Sequence, residues 1–259
     1  MKALRPCFIV AALVLGVPGA WGQQAGVQLE SLTWTELRDR VAAGATIALL
    51  PIGGTEQSGP HLALGKHNLR ARLLAERIAA RLGNAIVAPV VAYVPEGAIE
   101  PPSEHMRWPG TVSIPAPAFE ATLEAAARSL QRAGLRDVVL LGDHGGYRRS
   151  LERVAARVPH VHALPEYYRA ATTDFARLLR ERGFADAEVG QHAGLADTAL
   201  MLALDPSLVR EDTMRARDPR TRGDGADGDP RRASAELGRL AVDHIVESSV
   251  AAIRDRTRR

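Results

Sequence analysis

Residues 46–52 read Thr-Ile-Ala-Leu-Leu-Pro-Ile, and residues 53–61 follow at once as Gly-Gly-Thr-Glu-Gln-Ser-Gly-Pro-His. An uninterrupted apolar run of this length is typical of a strand that helices cover on both faces. The glycine-rich polar stretch behind it is typical of a loop that leaves such a strand. Together the two stretches predict a parallel sheet whose functional groups lie in the loops at its edge.

The same alternation continues along the chain. Strand-like runs lie at residues 46–52, 85–93, 137–141 and 160–164. Between them, apolar residues recur at helical spacing at residues 68–82, 119–130 and 148–158. Asp229 and Pro230 are expected to open a last helix, because proline suits the first helical position. This β-α-β-α order predicts an α/β fold, a three-layer domain in which helices flank a mainly parallel sheet.

Composition and charge exclude several classes of protein. The 259 residues are 46% hydrophobic and 24% charged, which is ordinary for a globular chain. Lys2 and Arg5 lie in a segment predicted to be removed, which leaves 31 of the 33 basic residues against 30 acidic ones. So neutral a chain is not expected to bind nucleic acid or an anionic membrane. Cys7, the one cysteine, lies in the same segment, so a thiolate nucleophile and a disulfide are excluded from the rest.

The amino terminus has the features of a secretory signal peptide. Behind the two basic residues just named, residues 8–17 form an apolar run too short to span a bilayer comfortably. Residues 20–22, Ala-Trp-Gly, place small side chains before a cut at Gln23. The sequence therefore predicts a signal peptide at residues 1–22, a single α/β domain at residues 23–259, and a periplasmic or secreted protein. An uncleaved anchor is the alternative.

Three polar segments that contain glycine adjoin apolar runs, at residues 53–67, 142–146 and 191–198. They carry four of the eight histidines, and ligands of open α/β sheets collect where strands end. Glycine beside histidine lets a metal or substrate approach the backbone, so the pattern indicates a metal or catalytic site, with structural histidines as the open alternative. Residues 210–232, polar and rich in glycine, predict a loop that is either a flap or a plain surface connection.

Five segments, in order, resemble motifs of the creatininase (creatinine amidohydrolase) family. They are residues 53–67 (GGTEQSGPHLALGKH), 103–111 (SEHMRWPGT), 142–146 (GDHGG), 192–202 (HAGLADTALML) and 228–234 (GDPRRAS). The resemblance implies a compact α/β fold, a metal-dependent amidohydrolase that cleaves non-peptide C–N bonds, and a ring-like homo-oligomer. It also implies a divalent metal centre of Zn²⁺ or Mn²⁺, which carboxylate and imidazole ligands suit.

The sequence departs from the family pattern at several metal-ligand positions. Glu56 and His144 match family ligands, whereas Ser58 replaces a histidine, His67 replaces a bridging aspartate, and Gly146 replaces a glutamate. A carboxylate bridges two cations with its two oxygens, but the lone pairs of an imidazole diverge. We therefore expect one ion per chain, Zn²⁺ or Mn²⁺, bound by Glu56, His67 and His144, with an open position for water.

Other residues of these motifs are given supporting or catalytic roles. His192 is the candidate general acid that protonates the leaving nitrogen, and Asp143 is expected to orient His144 or a bound water. For both, the alternative is a structural role in a loop or a helix cap. Four more residues are expected to support the site or contact substrate: His61, Glu104, His105 and Asp197.

The motifs lead to one expected function and one alternative. The expected function is hydrolysis of the C–N bond of a small amide, cyclic amides included, by metal-activated water. The alternative is a non-catalytic member of the same fold that binds a metal or a small ligand, since several family ligands are replaced here. The expected partners are the small-molecule substrate and further copies of the chain.

The signal peptide gives the first testable prediction. When the full chain is expressed with export machinery, the exported protein should begin at Gln23 because the cut follows the small residue Gly22. Intact-mass measurement of the exported protein checks this. A mass that includes Met1 would show that the segment is retained as an anchor.

Overall fold

The computed structural model of the chain describes residues 26–218 and 220–258, so the predicted signal peptide lies outside the described residues. Its centre is a sheet of four parallel strands in the order β2-β1-β3-β4. The strands are β1 Ile47–Ile52, β2 Ala85–Val87, β3 Asp137–Gly142 and β4 Val161–Ala163. Ile47 pairs with Ala85 on one side and with Asp137 on the other. The predicted parallel sheet is confirmed.

Helices follow and separate the strands, as the alternating pattern predicts. Their bounds are α1 Trp34–Ala42, α2 Lys66–Leu82, α3 Ala116–Arg132, α4 Arg148–Arg157, α5 Pro165–Arg169, α6 Phe175–Glu181, α7 Asp186–Val189, α8 Leu195–Leu204, α9 Glu211–Ala216 and α10 Ala235–Thr257. A π-helical turn, Ala170–Asp174, joins α5 to α6. Short 3-10 turns lie at Leu29–Ser31, Glu104–Arg107, Gly145–Tyr147, Pro206–Leu208 and Pro230–Arg232. None of the described helices is long and apolar enough to cross a bilayer.

The two faces of the sheet are covered by different helices. Side chains alternate between the faces of a strand, so Ile47 and Leu49 point one way and Ala48 and Leu50 the other. Ile47 and Leu49 belong to an apolar cluster with α2, α5, α8 and α10. Ala48 and Leu50 belong to a second cluster with α3 and α4, against which α1 packs its partly buried apolar side chains. The predicted three-layer α/β fold is therefore confirmed.

Several predicted boundaries differ from the structure. The helix predicted from residue 68 begins earlier, at Lys66, and the Oδ1 of Asn68 accepts a hydrogen bond from the Gly54 amide at 2.9 Å. The strand predicted at residues 85–93 ends at Val87, close to Pro89, which has no amide to donate. Residues 210–232 are not all loop, because they form α9 and the last 3-10 turn.

The last helix starts later than predicted. Asp229 and Pro230 open the 3-10 turn Pro230–Arg232, whereas α10 begins at Ala235. Ser234 caps α10, since its hydroxyl accepts a hydrogen bond from the amide of Leu237 at 3.3 Å. An aspartate–proline pair can open an α-helix or a 3-10 turn. The pair therefore marks the start of a helical turn here, but not the start of α10.

The carboxyl ends of β1 and β3 lie side by side, and one tyrosine ties them together. The hydroxyl of Tyr147 accepts hydrogen bonds from the amides of Asp143 and His144, each at 3.0 Å. The same hydroxyl lies 2.8 Å from the carbonyl oxygens of Ile52 and Gly53. The loops that leave the two strands are thereby held against each other.

The packing of α10 on α8 depends on a glycine and gives the second prediction. A Cβ on Gly238 would lie 1.9 Å from the carbonyl oxygen of Ala199 in α8. Alanine normally stabilises a helix interior relative to glycine by about 1 kcal/mol, but here Gly238→Ala should lower the free energy of unfolding by about 1–3 kcal/mol through overpacking. Urea denaturation measures it, with Arg239→Ala at the neighbouring exposed position as control. Equal or higher stability of Gly238→Ala would contradict the close approach.

Candidate functional site

Glu56, in the loop behind β1, is completely buried at the centre of the site. Its Oε1 accepts a hydrogen bond from His67 Nε2 at 2.7 Å and lies 3.9 Å from the Lys66 ammonium. Burial would raise the pKa of Glu56, but the charge and hydrogen bond of His67, together with Lys66, outweigh it and hold that pKa below its usual range. Oε1 is thus surrounded by cations, and Glu56 is ionised.

The second oxygen of Glu56 faces a different set of groups. Oε2 lies 3.3 Å from His105 Nε2 and 3.5 Å from His144 Nε2, yet it completes no hydrogen bond with the described residues. Burial lowers the pKa of His144 to about 4, so its ring is neutral near pH 7 and keeps a lone pair. An ionised oxygen and imidazole nitrogens at these distances form a place for a cation.

Glu96 is a second buried carboxylate beside this place. Both of its oxygens lack hydrogen-bond partners among the described residues, and Oε2 lies 3.6 Å from His144 Nδ1. It fits there because Gly54 has no side chain: a Cβ on Gly54 would lie 2.4 Å from Glu96 Oε1. Burial and the neighbouring Glu56 carboxylate raise the pKa of Glu96 to about 9, so Glu96 keeps a proton at neutral pH when no cation is present.

Four side chains in this place have the spacing of a metal site. One ligand atom from each of Glu56, Glu96, His105 and His144 lies within 4.8 Å of all the others. Three of the four carboxylate oxygens, Glu56 Oε2 and both of Glu96, are buried without partners among the described residues. Buried carboxylates of this kind are expected to be paired or to coordinate a cation. The residues present therefore fit a divalent ion.

The structure does not place His67 among these candidate ligands. Its Nδ1 lies 2.6 Å from Asp143 Oδ2 and its Nε2 lies 2.7 Å from Glu56 Oε1. Arg70 Nη2 also lies 3.0 Å from Nδ1, so both ring nitrogens are taken up by contacts with protein groups, and His67 is not part of the group whose ligand atoms lie together. Of the ligand set predicted from the sequence, Glu56 and His144 lie in the group of candidate ligands, together with Glu96 and His105, and His67 lies outside it.

Glu96, which the sequence analysis missed, carries a signal that could have found it. It lies just behind the apolar run at residues 85–93 and directly before Gly97, so it matches the rule used for the other polar segments. His105 lies in the 3-10 turn Glu104–Arg107. The sequence predicts only a supporting or substrate-contacting role for it, whereas its ring lies within the group of candidate ligands.

Two cations from the first turns of α2 continue the network away from the candidate metal site. Arg70 donates to Asp143 Oδ2 and to Asp197 Oδ1, both at 2.7 Å, and Lys66 donates to Asp197 Oδ2 at 2.9 Å. Burial disfavours the ionised form of Asp197, but Lys66 and Arg70 outweigh it and hold its pKa well below the usual range. Asp143 also accepts a hydrogen bond from Tyr167, so Asp143 orients His67 and not His144. Asp197 is a partner of these two cations and also accepts a hydrogen bond from the amide of Ala193 at 2.9 Å.

His192 lies at the edge of the site, with its two nitrogens in different surroundings. Its Nε2 donates to the backbone carbonyl of Gln57 at 2.8 Å, which leaves the lone pair on Nδ1, 3.8 Å from Glu56 Oε1. Burial lowers the pKa of His192 to about 4, so the ring is neutral at physiological pH. Neutral His192 can accept a proton before it donates one, which refines the general-acid role expected from the sequence.

The other predicted site residues lie farther out. His61 is buried, and its Nε2 contacts the hydroxyl of Thr198 at 3.0 Å. Glu104 is exposed at the start of its 3-10 turn. Ser58, at the position of a family histidine, is buried and its hydroxyl has no partner among the described residues.

A cavity of about 360 Å³ opens beside His192 and Asp197. One wall is the π-helical turn, which contributes Thr172 and Thr173, and Tyr168 lines the cavity just before that turn. π-helical turns occur often at functional sites. The volume suits a small molecule, and the cavity adjoins the candidate metal site through His192.

The polar segment that follows α9, residues 220–228, lies against the site and is held there by hydrogen bonds. The backbones of Asp227 and His192 exchange two hydrogen bonds, at 2.7 and 3.3 Å. Gly225 lies against Gln57, whose amide group contacts Nδ1 of His105 at 3.1 Å. Arg217 anchors the segment through a 2.7 Å contact with Asp224. The segment thus helps to hold the rings of His105 and His192 in place.

Comparisons with known proteins agree with this geometry. The family model described as creatinine amidohydrolase matches residues 30–253. A creatinine amidohydrolase of Pseudomonas putida is 30% identical over 254 residues, which cover 86% of this chain and 95% of that protein. A mycofactocin precursor peptide peptidase of Mycolicibacterium smegmatis is 33% identical over 176 residues, which cover 65% and 62%. A solved structure described as "Creatininase Mn" superimposes with a TM-score of 0.70 at 28% identity, covering 90% of this chain and all of the other.

The fold and the buried carboxylate–histidine site define a three-layer α/β protein with a candidate metal centre. The chain belongs to the creatininase family.

The segment over the site gives the third prediction. A Cβ on Gly225 would lie 2.1 Å from Gln57 Oε1, whereas one on Gly223 would meet nothing within 4 Å, although both glycines have φ near +80°. Gly225→Ala should therefore cost about 1–3 kcal/mol more than Gly223→Ala, which carries the backbone strain alone. Paired urea denaturation measures the difference. Equal losses in the two variants would show that Gln57 is not held against this segment.

Proposed function

We propose that this protein is a metal-dependent amidohydrolase with one divalent ion, Zn²⁺ or Mn²⁺, held by Glu56, Glu96, His105 and His144. The observation that carries the proposal is the set of three buried carboxylate oxygens without partners among the described residues, which face two imidazole rings. Two carboxylates and two imidazoles suit either ion. The relation to a creatinine amidohydrolase supports amide hydrolysis as the reaction class.

The charges of the two buried carboxylates favour a divalent cation over a single proton in the candidate metal site. Glu56 and Glu96 lie side by side in a buried setting where both cannot stay ionised without a cation. A single proton can join one oxygen of Glu96 to Glu56 in a hydrogen bond, but it leaves the other buried oxygen of Glu96 without a partner among the described residues. When bound there, Zn²⁺ or Mn²⁺ supplies a Lewis acid that activates water and polarises an amide carbonyl.

The chain's own residues orient the reaction. His192 presents the lone pair of Nδ1 toward Glu56 and so can take a proton and return it to the leaving nitrogen. His67 holds Glu56 Oε1 and keeps Oε2 turned to the candidate metal site. Asp143 holds His67 in turn, which makes it a positioning residue.

The proposed substrate is a small amide, cyclic amides included, that fits the cavity beside His192 and Asp197. A short peptide is the second candidate, because a relative named as a precursor peptide peptidase is 33% identical over its matched region. A panel of cyclic amides, linear amides and short peptides, assayed with the Mn²⁺- and Zn²⁺-loaded protein, separates the two. Metal binding without hydrolysis of any of them would favour the non-catalytic alternative.

Export to the periplasm or the exterior and homo-oligomerisation stay part of this proposal. The composition of residues 1–22 supports export. Family membership and the near-neutral charge of residues 23–259 support association of copies of the chain.

The ligand set gives the fourth prediction. Glu96→Gln keeps the shape of the side chain but removes the charge that a divalent ion needs, so affinity for Zn²⁺ or Mn²⁺ should fall by at least about 100-fold. Chelator-treated protein titrated with each ion, followed by calorimetry and elemental analysis, measures it. Glu104→Gln, an equal change at an exposed position, is the control. Unchanged affinity in Glu96→Gln would exclude Glu96 as a ligand.

A further inference from the structure

We propose that Lys66 is a built-in cation that fills the position of a second metal ion and thereby limits the site to one. The inference rests on the proposed function, since it concerns the same site. It makes Lys66 a positioning residue, which acts through Glu56 and Asp197 and has no contact with substrate.

The placement of Lys66 is the first observation. Its side chain is completely buried, with Nζ 2.9 Å from Asp197 Oδ2 and 3.9 Å from Glu56 Oε1. The ammonium therefore lies between a carboxylate of the candidate metal site and a carboxylate that faces the cavity. A buried ammonium is strongly unfavourable unless carboxylates compensate it, so its position is fixed by these two groups.

The pairing of the carboxylates with basic side chains is the second observation. Two buried carboxylates, Glu56 and Asp143, and the partly exposed Asp197 contact the buried side chains of Lys66, Arg70 and His67. Asp143, Asp197 and Oε1 of Glu56 are occupied by protein cations, and only Glu56 Oε2 and Glu96 remain for an ion.

The origin of the cations in the sequence is the third observation. Lys66 and His67 are the first two residues of α2, and Arg70 follows in the next turn. The positive end of the helix dipole disfavours basic side chains at this position. A preference for helix formation therefore does not account for basic side chains at the start of α2. Their contacts with the three carboxylates do.

The experiment compares Lys66→Met with Lys66→Arg. Lys66→Met removes the charge at similar length, and Lys66→Arg retains it. Each protein is depleted of metal, then titrated with Mn²⁺ to saturation and examined by elemental analysis and electron paramagnetic resonance. Two Mn²⁺ ions that share the Glu56 carboxylate give an exchange-coupled spectrum, which a single ion does not.

We expect wild type and Lys66→Arg to bind about one Mn²⁺ with an uncoupled spectrum. Lys66→Met should bind about two, with a coupled spectrum, because Asp197 Oδ2 and Glu56 Oε1 then lose the ammonium that lies between them and an ion can take its place. Mn²⁺ should also raise the melting temperature of Lys66→Met more than that of wild type. One uncoupled ion in Lys66→Met, or two coupled ions in wild type, would overturn the inference and leave the proposed function intact.

A double variant guards against loss of folding in Lys66→Met. Lys66→Met/Asp197→Asn removes both partners of the ion pair, so no buried charge is left alone. We expect it to bind one uncoupled Mn²⁺, because the carboxylate that would hold the second ion is gone. Two coupled ions in the double variant would overturn the role given to Lys66 and Asp197. Wild type that binds no ion at all would instead overturn the proposed function.

Discussion

The structure of this site depends on a single buried carboxylate whose two oxygens have different surroundings. Oε1 of Glu56 lies among protonated groups, and Oε2 faces imidazoles without completing a hydrogen bond. A carboxylate in this setting stays ionised only because cations lie on one side of it. The same cations turn the other oxygen toward Glu96 and His144. The geometry of the candidate metal site is thus set by the cations that lie at Oε1, on the opposite side of the Glu56 carboxylate.

That arrangement connects the fold to the chemistry. β1 delivers Glu56, β3 delivers Asp143 and His144, and α2 delivers the cations that join them. Tyr147 holds the two strand ends together by its hydroxyl. Since Lys66, Arg70 and Asp143 are buried and paired, a shift of one element would leave a buried charge without a partner, which costs several kcal/mol. The network therefore rigidifies the site as well as balancing its charge.

The sequence predicted the architecture well because hydrophobic periodicity reflects burial directly. The runs at residues 46–52 and 137–141 are the central strands, and their loops carry Glu56 and His144 as expected. His67 was assigned by position in a motif, which does not show that carboxylates flank both of its nitrogens. Glu96 and Lys66 enter the site through three-dimensional proximity. A charged residue beside an apolar run gives a hint of Glu96, but nothing local to Lys66 shows that it is buried.

The π-helical turn Ala170–Asp174 has a consequence for the diversity of substrates in this fold. A π-helical turn holds one residue more than an α-helical turn, so deletion of a single residue would restore a regular helix. Because the extra residue is accommodated within the turn, the helices on either side would keep their orientation, and the strands would stay in register. Thr172 and Thr173 line the cavity from this turn, and His244 of α10 contacts Asp174 at its end. A one-residue change in length here would alter the cavity wall without disturbing the edge of the sheet that carries the candidate metal site.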